Sequence, residues 1–203
     1  MQKLFRNNAF FLIPYILFAI AGGIILLTSS KREIHLAINA HYNSVGDVLF
    51  YVFTQVGDGI VAAAVGLFLL WRSLWKGLAV VGAMVAASAV AQVLKHTFWS
   101  HEPRPKLYFE TIGEPIRLVP DFNNYIYDSF PSGHTTQAFA LCCSIAFLIP
   151  KRLNWLKAVL FGMAFLIGYS RMYLSQHFFR DVYFGALIGT TVSLLVFALF
   201  LHL

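Results

Sequence analysis

Apolar residues along this chain fall into long runs separated by polar stretches, and they do not alternate with polar positions. A membrane-spanning helix needs about 20 apolar residues, or fewer where it packs against partners. Six runs come near that length, at residues 10–27, 59–71, 77–94, 132–149, 155–173 and 182–203. The pattern predicts an all-α fold, a bundle of six transmembrane helices with interfacial helices beside it.

The second run is part of a longer apolar stretch that Asp58 interrupts between two glycines. A carboxylate at bilayer depth is costly. We therefore expect an interfacial helix over residues 47–56, and the span itself over residues 59–71. Residues 31–42 are also amphipathic, with Ile34, Leu36 and Ile38 among polar residues, and we expect this segment to lie on the membrane surface.

The third run is rich in glycine, alanine and serine, which allow helices to approach closely in lipid. It is therefore expected to be central in the bundle. Residues 95–131 form the longest polar stretch and contain several aromatic residues. These aromatics are either anchors at the membrane interface or part of a lid or lipid entrance; they include Tyr108, Phe109, Phe122, Tyr125 and Tyr127.

Composition supports a membrane protein. Of the 203 residues, 59% are hydrophobic and only 12% are charged, whereas about 25% are charged in an average soluble domain. No linker rich in proline, glycine or serine divides the chain, so one domain over residues 1–203 is expected.

The first run resembles a signal peptide in following Lys3 and Arg6, but it continues to Leu27. We therefore expect an uncleaved first helix.

The formal net charge of +6 would suggest nucleic-acid binding in a soluble protein. Here the cations gather at the ends of apolar runs, so the expected partners are the lipid bilayer and a phosphorylated lipid, with no nucleic acid. Cys142 and Cys143 are adjacent inside an apolar run. They are expected to be buried packing residues without a disulfide. Nothing in the sequence indicates an oligomeric state.

His177 and Asp181 lie four residues apart where the sixth span begins. On a helix this spacing places both on one face. The carboxylate can then accept one imidazole N–H and leave the other nitrogen with a free lone pair. His177 is therefore a candidate nucleophile, and Asp181 would stabilise its developing positive charge. Arg171, at the end of the fifth span, can bind two phosphate oxygens through its guanidinium.

The segment Pro131-Ser132-Gly133-His134 opens the fourth span. Ser132 is a candidate N-cap, and a helix N-terminus presents free N–H groups to a phosphate. Gly133 lets the backbone approach an anion closely, and His134 can donate a proton to a leaving oxygen.

Lys95 and Arg104 add two cations after the third span. Taken alone, each is readily explained as a side chain that reaches from a helix end to the interface. Taken with the other two segments, they complete a set of three cations, two histidines and a carboxylate. Phosphoryl transfer through a histidine requires such a set.

Together the three segments resemble the signature of the type 2 phosphatidic acid phosphatase superfamily, which comprises membrane lipid-phosphate phosphatases related to vanadium haloperoxidases. The family pattern is K-x6-RP, PSGH and SR-x5-H-x3-D. The second and third parts match it without deviation. The first departs from it, because eight residues separate Lys95 from Arg104.

The resemblance implies that His177 attacks phosphorus and becomes phosphohistidine, that Asp181 orients it, and that His134 protonates the leaving group. No metal or other cofactor is implied. The implied substrate is a membrane lipid phosphate or pyrophosphate: phosphatidylglycerol phosphate, polyprenyl pyrophosphate, phosphatidic acid or a lipid A phosphate. The residues implied to hold the phosphoryl oxygens are Lys95, Arg104, Ser132, Gly133 and Arg171.

Two alternatives stay open. One is a lipid phosphotransferase, which passes the group to an alcohol. The other is a lipid-binding or transport protein that retains the fold without catalysis, although its histidines and Asp181 are intact. A haloperoxidase is disfavoured, since those relatives are typically soluble and larger.

Six spans would place both termini on one side, together with seven of the Lys and Arg residues, and would place eight on the other side, with the three motifs. Lys95, Arg104 and Arg171 have a proposed chemical role and can be set aside. That leaves five Lys and Arg residues on the side of the motifs, against seven on the side of the termini. The positive-inside rule then favours cytoplasmic termini in a plasma or inner membrane, with the active site facing outward.

Overall fold

A computed structural model describes residues 2–120 and 122–200 of the chain, with side chains from residue 5 onward. The described residues form ten α-helices and one 3-10 turn, at Lys151–Leu153. The helices are α1 (Gln2–Asn7), α2 (Ala9–Thr28), α3 (Lys31–Asn39), α4 (Ser44–Val56), α5 (Gly59–Arg72), α6 (Leu74–Thr97), α7 (Pro105–Thr111), α8 (Gly133–Leu148), α9 (Asn154–Tyr173) and α10 (Phe179–Phe200).

Four of the described helices are long and apolar enough to cross a membrane: α2, α6, α9 with its preceding 3-10 turn, and α10. The pair α4 and α5 would add a fifth if it is one broken span. The predicted fourth span, α8, has only 16 residues, or about 24 Å at 1.5 Å per residue. The all-α membrane class is therefore confirmed, but the count of six spans is not. The predicted end of the sixth run, residues 201–203, lies outside the described residues.

The break between α4 and α5 is where the sequence predicts it. The two helices meet at an angle of 44°, and Asp58 between them has an extended backbone. Its side chain accepts a hydrogen bond from the Ile60 N–H at 2.8 Å, which caps α5. The carboxylate therefore ends one helix and begins the next.

The centre of the bundle is α8, which packs against α6, α9 and α10. Nine of its residues are buried, and most are small, such as Ala138, Ala140 and Ser144. The third run, α6, which is predicted to be central, also packs against three helices: α5, α8 and α10. Cys142 and Cys143 are buried free thiols on α8, as predicted.

The closest packing joins α8 to α10 at two glycines. A Cβ added at Gly189 would lie 2.4 Å from the Thr136 carbonyl oxygen, and one at Gly185 would lie 2.8 Å from the Ser132 carbonyl oxygen. Ser193 Oγ also donates to the Ala140 carbonyl at 3.1 Å. Small residues thus let the two backbones touch, as is common between membrane helices.

The outward faces of the long helices expose large apolar side chains. On α2 these include Ile13, Leu17, Ile20 and Ile24, each more than half exposed. In water such a surface would be unfavourable, but against lipid it is expected. The chain is an integral membrane protein.

Replacement of Gly189 by alanine should destabilise the protein, because the new methyl group would press on the backbone of α8. Overpacking of this kind costs about 1–3 kcal/mol or more. The midpoint of thermal unfolding in detergent should fall by several degrees. Gly162→Ala is the matched control, since a Cβ there meets no atom within 4 Å. Equal midpoints for the two variants would contradict this account of the contact.

Candidate active site

The three motif segments meet at one end of the bundle, around a cavity of about 370 Å³. The ends of α6 and α9 and the start of α8 contribute to its wall, together with the loops before α7 and before α10. Ser132 and Asp181 are fully buried beside it. The other six predicted residues line the cavity: Lys95, Arg104, Gly133, His134, Arg171 and His177.

His177 and Asp181 are close, although α10 begins only at Phe179 and His177 precedes it. His177 Nδ1 lies 3.7 Å from Asp181 Oδ2, and both side chains are buried. The same oxygen accepts hydrogen bonds from Ser129 Oγ at 2.6 Å and from the Phe178 N–H at 3.0 Å. At 3.7 Å the imidazole is beyond hydrogen-bond distance of this oxygen.

The His177 imidazole is held neutral. Burial and the nearby Arg104 and Arg171 guanidinium groups lower the pKa of His177 well below its ordinary value. Each of these effects disfavours the protonated ring. A neutral imidazole retains the lone pair that a nucleophile needs.

The N-terminus of α8 is built as the sequence predicts. Ser132 is the N-cap, and its Oγ accepts from the Thr135 N–H at 3.4 Å. The Ser132 N–H in turn donates to the Asp181 carbonyl at 3.0 Å, which joins two of the three motifs. A Cβ added at Gly133 would meet no atom within 4 Å, so the absent side chain leaves open space at the cavity wall.

Lys95 and Arg104 converge despite their longer spacing. Lys95 Nζ donates to the Asp128 carbonyl at 2.8 Å, and Arg104 Nη2 donates to the same oxygen at 3.3 Å. Because α6 continues to Thr97, the extra residues are absorbed in the loop over residues 98–103. The shared acceptor holds both cations at the cavity.

Arg171 reaches the cavity from α9 and is 5% exposed. One of its terminal nitrogens donates to Thr54 Oγ1 on α4. Its Nε is buried and has no hydrogen-bond partner among the described residues. A buried cationic donor without a partner is suited to an anion.

Several residues of the site escape sequence reasoning. Ser129 donates to Asp181, and Gln176 supplies its carbonyl oxygen to Arg104 Nη1 at 3.2 Å. Tyr125 lines the cavity with its ring 5.3 Å from the Arg104 guanidinium carbon. Tyr125 is one of the loop aromatics named above. No local pattern marks Ser129 or Gln176.

The loop that carries His177 is braced from α3 and the turn after it. Ser175 has a left-handed backbone, with φ of 52°. Its Oγ lies 3.2 Å from His35 Nε2 and 3.0 Å from the Tyr42 hydroxyl. Burial lowers the pKa of His35 to about 4, so its ring stays neutral at neutral pH. These contacts hold the unusual loop conformation next to the candidate nucleophile.

The fold and this site define a class: a helical integral membrane protein with a cationic, histidine-containing cavity at its helix ends. Residues 76–202 match the model of the PAP2 superfamily. The match covers more than half of the chain, so the chain belongs to the PAP2 superfamily.

Individual relatives agree with this assignment. The chain is 34% identical over 140 residues to the bacitracin transport permease protein BcrC of Bacillus licheniformis. The aligned region covers 66% of this chain and 63% of that protein. It is 30% identical over 147 residues to phosphatidylglycerophosphatase B of Bacillus subtilis, and this alignment covers 68% of this chain and 64% of that protein. The chain thus spans just under two thirds of the length of each. The crystal structure of Aquifex aeolicus LpxE superposes with a TM-score of 0.71 at 32% identity, covering 82% of this chain and 93% of that chain.

Replacement of Gly133 by alanine should weaken anion binding without loss of stability. The methyl group would enter the cavity beside the free N–H groups of α8, while alanine is favoured over glycine in a helix by about 1 kcal/mol. The dissociation constant for inorganic phosphate, measured by calorimetry, should rise about tenfold or more. Gly82→Ala on α6, also without an atom within 4 Å of its Cβ, should bind as the wild type does. Unchanged binding by Gly133→Ala would contradict the assignment.

Proposed function

We propose that this protein is a lipid-phosphate phosphatase of the membrane. The observation that carries the proposal is a second, apolar cavity of about 420 Å³ between α5 and α6. It shares Gly59, Ser88 and Gln137 with the cationic cavity. Polar and apolar pockets that join in this way suit an amphiphile with a phosphorylated head and a hydrocarbon chain.

The reaction proceeds in two steps. His177 attacks phosphorus, an N–P bond forms, the P–O bond to the lipid breaks, and His134 gives the leaving oxygen a proton. Water then attacks the phosphohistidine, His134 takes a proton from that water, and the N–P bond breaks to release phosphate. Asp181 stabilises the positive charge that develops on His177.

The cations and the N-terminus of α8 stabilise the transferring group. Lys95, Arg104 and Arg171 approach the cavity from three different elements, and Gly133 leaves the helix N–H groups accessible. Fixed charges and N–H donors suit a transition state whose negative charge is spread over three oxygens. Removing one such group usually costs about 10²–10³ in rate.

The substrate is a lipid monophosphate or pyrophosphate. The two relatives carry different names, one a phosphatidylglycerophosphatase and the other a bacitracin transport permease. Phosphatidylglycerol phosphate, polyprenyl pyrophosphate, phosphatidic acid and lipid A phosphates all have the phosphate head and long chain that the joined cavities suit.

His177→Ala should abolish phosphate release, because the proposed mechanism forms the N–P bond on this side chain. The measurement is phosphate release by purified protein from a panel of lipid monophosphates and pyrophosphates. His41→Ala is the control: this histidine is exposed, and its ring contacts only the Ala37 carbonyl among the described residues. Near-normal release by His177→Ala would overturn the mechanism. Phosphate transfer that requires an added alcohol would instead indicate a phosphotransferase.

Activity should survive EDTA. Within residues 2–120 and 122–200, no three His, Cys, Asp or Glu side chains gather into a potential metal site. The proposed mechanism places charge stabilisation on protein cations alone. Loss of phosphate release in EDTA, with recovery on addition of a divalent cation, would contradict it.

The site is proposed to face outward, with cytoplasmic termini. Glu110→Cys on α7 near the site and Lys151→Cys at the opposite end of the bundle provide the test, since both positions are exposed. Cys142 and Cys143 are buried and should not react. A membrane-impermeant maleimide should label only Glu110→Cys in intact cells. Labelling of only Lys151→Cys would reverse the orientation.

A further inference from the structure

Asp58 faces the site from the corner between α4 and α5. Its Oδ1 caps α5 by accepting from the Ile60 N–H at 2.8 Å. Its Oδ2 lies 3.9 Å from His134 Nε2, and the two side chains are 40% and 33% exposed. Both line a further cavity of about 330 Å³, which also contains Arg171 and Tyr125. The mechanism above uses only the histidine of this pair.

The surroundings of His134 oppose its protonation. Lys95, Arg104 and Arg171 all face it, from α6, from the residue before α7 and from α9, and His177 lies across the cavity. Burial of the ring disfavours an imidazolium ion most, and these like charges add to that effect. Of the carboxylates in the described residues, Asp181 is buried against Ser129 and Phe178. Asp58 is the one whose carboxylate lies near the His134 ring, with Oδ2 3.9 Å from Nε2.

We propose that Asp58 is a positioning residue for His134, holding its imidazolium form ready to protonate the leaving group. The inference rests on the proposed phosphatase function and deepens it. In the first step, protonated His134 gives its proton to the lipid oxygen as the P–O bond breaks. In the second step, it regains a proton from the attacking water. The Asp58 carboxylate stabilises the charged ring at the start and at the end of this cycle.

Capping α5 by itself does not require a carboxylate. Asparagine is as good an N-cap as aspartate, so Asp58→Asn retains the cap and removes only the charge. Asp58→Glu retains the charge on a longer side chain and weakens the N-cap of α5. The two variants therefore separate the two roles of this residue.

The test compares leaving groups. Dioctanoyl phosphatidic acid releases an alkoxide, which needs a proton, whereas p-nitrophenyl phosphate releases a stable phenolate that needs little help. General acid catalysis contributes about 10²–10⁴ in rate. Without the carboxylate a smaller fraction of His134 is protonated, so kcat for the lipid should fall about tenfold, and kcat for the nitrophenyl ester less than about threefold.

Two further readouts separate this role from structural damage. Loss of a negative charge beside an anion site should leave KM for the lipid unchanged or lower it. The alkaline limb of the kcat/KM profile reports loss of the proton from His134. Removing the carboxylate lowers the pKa of the imidazolium, so this limb should move to lower pH by about one unit or less.

Glu110→Gln on α7 is the control for an equal change in net charge, since Glu110 is exposed and lies outside the cavity. It should match the wild type, and Asp58→Glu should recover part of the lipid activity that Asp58→Asn loses. Equal losses on both substrates, or an unmoved pH profile, would overturn the inference alone. A wild-type protein that releases phosphate from none of the lipid monophosphates and pyrophosphates of the panel would overturn the proposed function and this inference with it.

Discussion

The contact between α8 and α10 is the constraint on which the site depends. Gly185 and Gly189 allow the two backbones to touch, and the Ser132 N–H donates to the Asp181 carbonyl at the top of this contact. Lipid provides no hydrophobic drive between helices, so close packing and hydrogen bonds must hold them. The distance between the N-terminus of α8 and the loop that carries His177 follows from this contact.

A second layer of contacts holds the charged groups in place. The Asp128 carbonyl accepts from both Lys95 and Arg104, and Asp128 itself has a left-handed backbone, with φ of 59°. Ser175 has a similar backbone beside the candidate nucleophile and is held by contacts with His35 and Tyr42. Such conformations cost of order 1–3 kcal/mol each and persist where neighbouring contacts impose them. The result is a set of cations and histidines arranged before any anion arrives, which is the arrangement that transition-state stabilisation requires.

Much of this fold could be predicted, because membrane helices follow local hydrophobicity. The break at Asp58 and the N-cap at Ser132 were both found where residue type demands them. The central position of α8 was not found, since it depends on which small residues face each other, and both α6 and α8 are rich in them. The helix α7 also escaped prediction, because Pro105–Thr111 is short and lies inside a polar loop. The count of six spans is not confirmed, because α8 has only 16 residues.

The sequence by itself determined the class of protein, the helices and the residue types of the site, because hydrophobic runs and short motifs are local properties. It also placed all three motifs at one end of the bundle. Only the tertiary structure decided that Lys95 reaches the cavity despite its longer spacing, and that Asp58 faces His134 from 76 positions earlier in the chain. Only the tertiary structure placed an apolar cavity next to the cationic one. These relations depend on how α4, α5, α6 and α8 pack, and packing between distant segments leaves no periodic signal in either segment alone.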